Sequence, residues 1–153
     1  MGFAIRTATP DDAVRLHELH TAAVREICAP HYAPDIIKGW LANRTPAGYL
    51  AEIERAAIFV VEHEGRIVGF GEAAAGVVVA CYVDPALARR GVGSTIMAHA
   101  LAIARRGHDG PIRVESTLNA APFYERFGFR AVARSTVRRC NHVEIPVVLM
   151  ERA

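Results

Sequence analysis

The 153-residue sequence has few cysteines, and those it has form no framework. Cys28, Cys81 and Cys140 are odd in number, widely spaced and never paired as Cys-x-x-Cys, which indicates neither a disulfide scaffold nor a zinc site. Apolar runs long enough to span a membrane are missing, and the first residues lack the apolar core of a secretion signal. We therefore expect a cytoplasmic protein with reduced thiols, no bound metal and no membrane contact.

A strong charge imbalance is missing as well. The formal net charge is +2 and the arginines are spread along the chain, which gives no reason to expect nucleic acid as a partner. Lysine is nearly absent, since Lys38 is the only one. What remains is an ordinary globular composition, with 52% hydrophobic and 22% charged residues, at a length that suits one domain over residues 1–153.

The most informative stretch is a predicted strand, glycine turn and helix in the middle of the chain. The unbroken apolar run from Gly76 to Val83 predicts a strand that is covered on both faces. Asp84-Pro85 ends it, and Gly91-Val92-Gly93 opens a helix. That helix carries an apolar stripe at three- and four-residue spacing, formed by Val92, Ile96, Met97, Ala100, Leu101 and Ala104.

A helix that starts at glycines has the features of a phosphate site. Its first backbone N–H groups have no partner within the helix, the positive end of the dipole lies there, and glycine allows close approach. Arg89 and Arg90 add two cations just before it. The alternative is an ordinary turn with surface arginines, because a short glycine pattern has low specificity. The P-loop needs a nearby lysine, and the dinucleotide fingerprint needs a glycine at Ile96, so neither motif fits.

The segment VDPALARRGVGS resembles motif A of the GNAT superfamily of N-acetyltransferases. The family pattern is Gln or Arg, two free positions, Gly, one free position, then Gly or Ala. Gly91 and Gly93 fit this pattern, whereas Ala88 stands at its leading position. The resemblance implies that the loop holds the pyrophosphate of acetyl-CoA, through Arg89, Arg90, Gly91, Val92, Gly93 and Ser94.

A second segment, STLNAAPFYERFGF, resembles the one that follows motif A in the same superfamily. It implies that Tyr124 lies near the sulfur of the cofactor and provides a proton for the departing thiolate. The alternative for Tyr124 is packing beside its aromatic neighbours in the sequence. Asn119 either contacts the arm of the cofactor, a role that Thr117 would also suit, or only caps a short helix.

The resemblance also implies two further parts of a site. At the end of the central strand, where a parallel pair of strands splays apart, backbone N–H groups would polarise the thioester carbonyl, and they belong to Cys81, Tyr82 and Val83. The region between the first and second strands would form a wall of the acceptor pocket, with Tyr32, Trp40 and Tyr49 as aromatic candidates. Packing into the core is the alternative for Trp40.

A base is needed because an amine with a pKa of about 10.4 is almost fully protonated at neutral pH. Glu72, on the predicted strand before the central one, is the leading candidate, and its alternative is an ordinary surface carboxylate. Glu115 and His142 are companion candidates. Family members often carry an acid on the central strand, but Val77 to Cys81 is wholly apolar, which favours a non-catalytic acyl-CoA-binding module as the rival function.

Three local patterns elsewhere in the chain lead to expectations of their own. His17 and His20 lie three apart in the first predicted helix without a third ligand at a supporting spacing, so we expect them to be solvated or hydrogen-bonded. The first helix should bury Leu16, Leu19, Ala23 and Ile27. Pro146 indicates that the last strand is an edge strand or contains a bulge.

The elements in order predict a mixed α/β fold: one domain with a twisted mixed sheet of about seven strands, a splayed parallel pair and about four flanking helices. The function that the resemblance implies is an acetyl-CoA-dependent N-acetyltransferase, whose acceptor amine attacks directly in a ternary complex. The acceptor would be a small molecule or a peptide. The final strands offer an exposed edge that suits a homodimer.

Overall fold

The computed structural model describes residues 2–138 and 143–153, so Cys140 and His142 lie outside the described residues. The described strands form one sheet of order β1-β2-β3-β4-β5-β7-β6, in which the β4–β5 pair is parallel and the other pairs are antiparallel. This mixed sheet of seven strands confirms the predicted fold class. The strands are β1 (Ala4–Thr7), β2 (Ile58–His63), β3 (Arg66–Ala74), β4 (Val77–Val83), β5 (Ile112–Thr117), β6 (Arg130–Arg138) and β7 (Glu144–Arg152).

The helices cover the two faces of this sheet. The long helix after β4 packs its buried side chains on one face, together with the short helix that follows β5. The first helix and the segment after it pack on the other face. The helices are α1 (Ala13–Ala23), α2 (Pro34–Leu41), α3 (Leu50–Glu54), α4 (Val92–Arg105) and α5 (Ala121–Glu125), with a π-helical segment at Val24–Cys28 and 3-10 turns at Pro10–Asp12, Ala29–His31, Pro46–Tyr49 and Pro85–Leu87.

An ion pair connects β1 to the start of α1. Arg6 donates to both oxygens of Asp12 at 2.7 and 3.0 Å, and the Asp12 carboxylate also accepts from the backbone N–H of Thr9 at 2.8 Å. The hydrogen bonds from Arg6 are the main reason why the pKa of Asp12 lies below its ordinary value. Thr9 is thereby the N-cap residue of the 3-10 turn that leads into α1, with Asp12 completing a capping box.

The π-helical segment changes which residues of the first helix are buried. Leu16, Leu19 and Ala23 are buried as predicted, but Ile27 is only half-buried. Val24 and Cys28 are buried in its place. A π turn contains an extra residue, so the apolar stripe continues one position out of phase with the α-helical pattern.

The central strand β4 is less covered than its apolar sequence predicts. Only Val78 is fully buried, and Val79 is 45% exposed. The register between β3 and β4 shifts beside Glu72, which leaves Val79 as the extra residue of a β-bulge. The prediction of a strand covered on both faces is therefore wrong, because β4 pairs with β5 only through two residue pairs and cavities open beside it.

Pro146 lies in β7, which is an interior strand between β5 and β6. The prediction of an edge strand is therefore wrong, and the structure explains why a proline is tolerated. The β5–β7 pairing ends at Thr117 and Val147, so the side of Pro146 that lacks an N–H faces no ladder partner. There the Tyr32 hydroxyl donates to Pro146 O at 2.7 Å and accepts from Leu118 N at 2.9 Å, which bridges the two chain segments.

Candidate active site

The turn before α4 has the backbone conformation of an anion site. Gly91 is the N-cap residue of α4 with φ at +90°, and Arg89 has φ at +64°, a conformation that costs a non-glycine residue free energy. The first intrahelical bond runs from Thr95 N to Gly91 O at 3.1 Å. The N–H groups of Val92, Gly93 and Ser94 therefore precede the helical ladder at the positive end of a 14-residue helix.

Gly93 is required for packing. A Cβ at this position would lie 2.9 Å from Cε1 of Phe123 and 3.2 Å from its Cζ, which is closer than carbon atoms approach. The missing side chain thus lets the first turn of α4 lie directly against α5. Arg89, Arg90 and Ser94 are exposed at the same end of the helix. Neither arginine makes an ion pair or hydrogen bond with the residues that the structure describes.

A cavity of about 200 Å³ opens where β4 and β5 diverge. The two strands pair at Val77–Arg113 and Val78–Val114 and then separate. This space, which we term the splay cavity, is next to the turn before α4. It is lined by Ala23, Ile27, Cys28, Cys81, Tyr82, Val83, Thr117, Asn119, Ala120 and Phe123.

Backbone direction along β4 decides which amides face the splay cavity. Asp84 N donates to Val68 O at 2.9 Å, so by the alternation of an antiparallel ladder Tyr82 and Ala80 pair with β3. The N–H groups of Cys81 and Val83 consequently point away from β3, toward the gap left by β5. The Tyr82 amide is directed to β3, although Tyr82 is one of the residues that line the splay cavity.

Asn119 contributes a buried polar atom to the same space. Its Oδ1 is buried without a hydrogen-bond partner among the described residues, and the N-cap residue of α5 is Ala120, so Asn119 does not act as the cap. Burial raises the pKa of Cys28 to about 11, while hydrogen bonds with Asn119 and Thr117 act in the opposite direction. Both candidates for contact with the arm of the cofactor thus lie together beside one protonated thiol.

Tyr124 is 5% exposed in α5 and packs edge-on against Phe123 and Phe129. Burial is the main reason why its pKa lies well above the ordinary value of a phenol, followed by the proximity of Cys81, Tyr82 and Cys28. The Cys81 thiol is also buried, which raises its pKa to about 12. Tyr124 therefore keeps its proton at neutral and mildly alkaline pH, and it lies beside three residues that line the splay cavity.

A second cavity of about 180 Å³ lies against β4 as well, and we term it the polar cavity. It differs from the splay cavity because charged side chains line it. Tyr82 lines both cavities, which makes them neighbours. The residues that line the polar cavity are His20, Trp40, Arg44, Glu72, Val79, Ala80 and Tyr82.

Glu72 reaches the polar cavity from β3, where it pairs in register with Ala80 at the bulge of β4. The side chain is half-buried, so it is not a simple surface carboxylate. The structure therefore brings the leading base candidate to the central strand from the neighbouring one. Glu115 is exposed and lines a separate cavity with Val132 and Leu149. His142 is outside the described residues.

Aromatic and basic side chains form the opposite wall of the polar cavity. The rings of His20 and Tyr82 lie 4.0 Å apart between centroids, and His20 Nδ1 is 2.9 Å from the hydroxyl of Tyr49. Arg44 donates through Nη2 to both His20 Nδ1 and the Tyr49 hydroxyl. Because arginine has only donors, His20 must accept at Nδ1, and the ring carries its proton on Nε2.

The three aromatic residues predicted for the wall of the acceptor pocket lie in different parts of the structure and make different contacts. Trp40 is 3% exposed and belongs to a core cluster, and it also lines the polar cavity. Tyr49 supports Arg44 and His20, and burial raises its pKa to about 12. Tyr32 bridges the end of β5 to β7 and packs against Trp40.

Two residues of the polar cavity were missed by sequence reasoning or given no role. One weak signal in the sequence marks Arg44. No acidic residue lies within four positions of it, so it has no local carboxylate with which to form an ion pair. His20 was expected only to be solvated or hydrogen-bonded. Its partners come from a loop and a 3-10 turn more than 20 positions away, and no local pattern marks them.

Comparison with known proteins shows the family. The model described as "Acetyltransferase (GNAT) domain" matches residues 28–151, so the chain belongs to the GNAT acetyltransferases. It is 26% identical over 133 residues to the uncharacterized N-acetyltransferase YafP of Escherichia coli (strain K12), covering 87% of this chain and 85% of that protein. The resemblance that the two sequence motifs indicated is thereby confirmed.

Solved structures show the same fold. A GCN5-related N-acetyltransferase from Rhodopseudomonas palustris superposes with a TM-score of 0.83 at 20% identity, covering 100% of this chain and 96% of that one. The Salmonella typhimurium protein YncA, solved with its cofactor acetyl-CoA, has a TM-score of 0.71 at 20% identity, covering 99% and 93%. Within residues 2–138 and 143–153, no helix is long and apolar enough to cross a membrane, and no cluster of metal-binding side chains occurs.

Proposed function

We propose that this protein transfers the acetyl group of acetyl-CoA to a primary amine, which attacks directly while both substrates are bound. The observation that supports this most is the pair of cavities on β4, one lined by backbone donors and one by a carboxylate, which meet at Tyr82. Such neighbouring spaces suit two substrates held side by side, as direct attack requires. Acetyl-CoA would supply the acyl group as a reactive thioester.

The chain has suitable groups for holding this cofactor. The amides of Val92, Gly93 and Ser94, with Arg89 and Arg90 beside them, would bind the pyrophosphate. Asn119 Oδ1 is a buried acceptor without a described partner, and an amide-bearing arm in the splay cavity would satisfy it. The GNAT family match and the complex of YncA with acetyl-CoA support the same assignment.

Three groups would carry the chemistry. The N–H groups of Cys81 and Val83 would donate to the carbonyl oxygen as negative charge develops on it. Tyr124, whose raised pKa keeps it protonated, would donate to the leaving sulfur. Glu72 would accept the proton of the amine, directly or through water. Glu115 and His142 remain the companion candidates for this last role.

The test has two measurements on the purified protein. Release of free thiol from acetyl-CoA is followed with a panel of primary amines, and the expected result is release that depends on the amine. Binding of coenzyme A is measured by isothermal titration calorimetry, and heat from a single site is expected. Absence of binding heat would refute the cofactor assignment.

The rival function is an acyl-CoA-binding module without catalysis, which the lack of any acid on β4 favours. Binding heat without thiol release for every amine would support it. The homodimer stays a proposal as well: β6 is an edge strand with exposed residues along most of its length, which leaves an unpaired backbone edge for a second copy.

A further inference from the structure

Arg44 is held by neutral side chains. It lies between α2 and α3, is half-buried, and its Nη2 donates to His20 and Tyr49. Its guanidinium also lies 5.7 Å from the centroid of the Tyr49 ring. Burial raises the pKa of Tyr49 to about 12, so that partner stays a neutral phenol. The positive charge of Arg44 is therefore positioned by its neighbours but not neutralised by them.

Two other half-buried arginines, Arg15 and Arg6, are paired with carboxylates. Arg15 contacts Asp84 at 3.1 Å, and Arg6 contacts Asp12 at 2.7 Å. In the described part of the chain, Arg44 forms no ion pair. Its Nη1 is buried and has no hydrogen-bond partner there either. A desolvated cationic donor without an acceptor costs free energy, and an anionic ligand group would remove that cost.

Arg44 lines the polar cavity, and the volume of this cavity limits the size of a ligand that could bind there. Its volume of about 180 Å³ corresponds to roughly six water molecules at the density of the liquid. Arg44 and Glu72 both line it, so among the residues that the structure describes the wall includes a cation and a carboxylate. A ligand with an amine and an anionic group complements that wall, whereas a simple amine would leave Nη1 of Arg44 without an acceptor.

We propose that the acceptor is a small amine that also carries a carboxylate, such as a free amino acid, and that Arg44 binds this carboxylate. The inference rests on the proposed acetyl transfer and narrows its substrate class. Glu72 then faces the amine end, and Arg44 determines specificity without taking part in proton transfer. A planar guanidinium suits a carboxylate because it offers parallel N–H groups.

The test compares matched acceptors with wild-type protein and with Arg44→Gln. The panel contains L-amino acids, their carboxamides and their decarboxylated amines, and kcat/KM is measured by thiol release. Wild type should prefer at least one amino acid over its amide by about 10- to 100-fold, the range for a hydrogen bond to a charged group. This ratio should fall to about 1 in Arg44→Gln, while KM for acetyl-CoA stays the same.

Arg55→Gln is the matched control, because Arg55 is an exposed arginine that pairs with Glu52 on α3. It should keep the wild-type preference. Circular dichroism of both variants separates loss of folding from loss of specificity. An active wild-type protein without any preference for carboxylates would overturn the inference, as would a preference that survives Arg44→Gln. If the protein acetylated only peptides, the inference that the acceptor is a small molecule would be overturned.

Binding gives a readout that does not depend on turnover. The same amino acids and amides are titrated by calorimetry into protein saturated with coenzyme A. Tighter binding of an amino acid than of its amide, lost in Arg44→Gln, supports the inference. If coenzyme A does not bind, the proposed function fails, and the same titration into free protein decides whether Arg44 binds carboxylates.

Discussion

The splay cavity and the polar cavity share β4 and Tyr82, yet they are built from different groups. The splay cavity is mostly apolar, and the main chain supplies most of its inferred polar contacts. The polar cavity presents the side chains of Glu72, Arg44 and His20. A backbone N–H group is retained when most side chains are replaced, whereas a polar group on a side chain is lost with that side chain. We therefore expect point substitutions to alter acceptor choice more readily than cofactor binding.

The largest effect should come from Tyr124, the side chain beside the splay cavity with an inferred catalytic role. Tyr124→Phe should lower kcat by about 100-fold or more, since it removes the proton donor. The Kd for coenzyme A should stay close to that of wild type. Because burial raises the pKa of Tyr124, wild-type activity should not fall at mildly alkaline pH through loss of this proton. An unchanged kcat would remove Tyr124 from the mechanism.

Glu72→Gln tests the polar cavity in the same way and should have the next largest effect. We expect kcat/KM for the amine to fall by about 10- to 100-fold, because the acceptor for the amine proton is lost. The dependence of kcat/KM on pH should also change. Glu54→Gln, an exposed change on α3, is the control. A pH profile that does not respond to Glu72→Gln would exclude Glu72 as the base.

Gly93→Ala tests whether packing maintains the backbone donors of the cofactor side. The new Cβ would lie 2.9 Å from Phe123, so the ring or the first turn of α4 must move. The free energy of unfolding should fall by about 1–3 kcal/mol, as for other overpacked sites. Chemical denaturation measures this, and the Kd for coenzyme A should rise. Gly110→Ala is the control, since its Cβ would meet only ordinary contacts. Equal stability of the two variants would contradict the packing role.

Tyr32→Phe should have the smallest effect, because it removes a structural bridge between β5 and β7. Its hydroxyl links Leu118 N to Pro146 O, and the loss of this bridge should cost about 1–2 kcal/mol of unfolding free energy. Thermal and chemical denaturation measure the cost. Catalysis should change much less than in Tyr124→Phe, so the two variants separate a buried structural phenol from a catalytic one. A loss of kcat as large as that of Tyr124→Phe would contradict this distinction.

Much of the cofactor side could be predicted because it is local in the sequence. The strand, the turn at Gly91 and α4 follow one another within 30 residues, and each is marked by periodicity or by glycine. Tyr124 lies in a second local motif. The polar cavity has no such signal, because its members come from α1, α2, a loop and two strands. His20 and Glu72 are 52 positions apart, and only packing makes them neighbours.

The errors of prediction have the same origin. Pro146 was taken to indicate an edge strand or a bulge because a proline cannot donate to a ladder, but edge or interior position depends on the order of all the strands. The apolar run of β4 was read as fully covered, although a bulge at Val79 and the divergence from β5 expose it. Neither the strand order nor the register of a bulge can be predicted from a short segment of sequence.

By itself the sequence determined the class of fold, the glycine turn before α4 and the place of Tyr124 in a short helix after β5, because periodicity, glycine conformation and short motifs act over neighbouring residues. Tertiary structure alone decided which side chains share the polar cavity and that Arg44 lacks a carboxylate among the described residues. The reason is physical. Charge pairing and burial depend on distances in space, and residues far apart in the chain reach those distances only when the helices pack on the sheet.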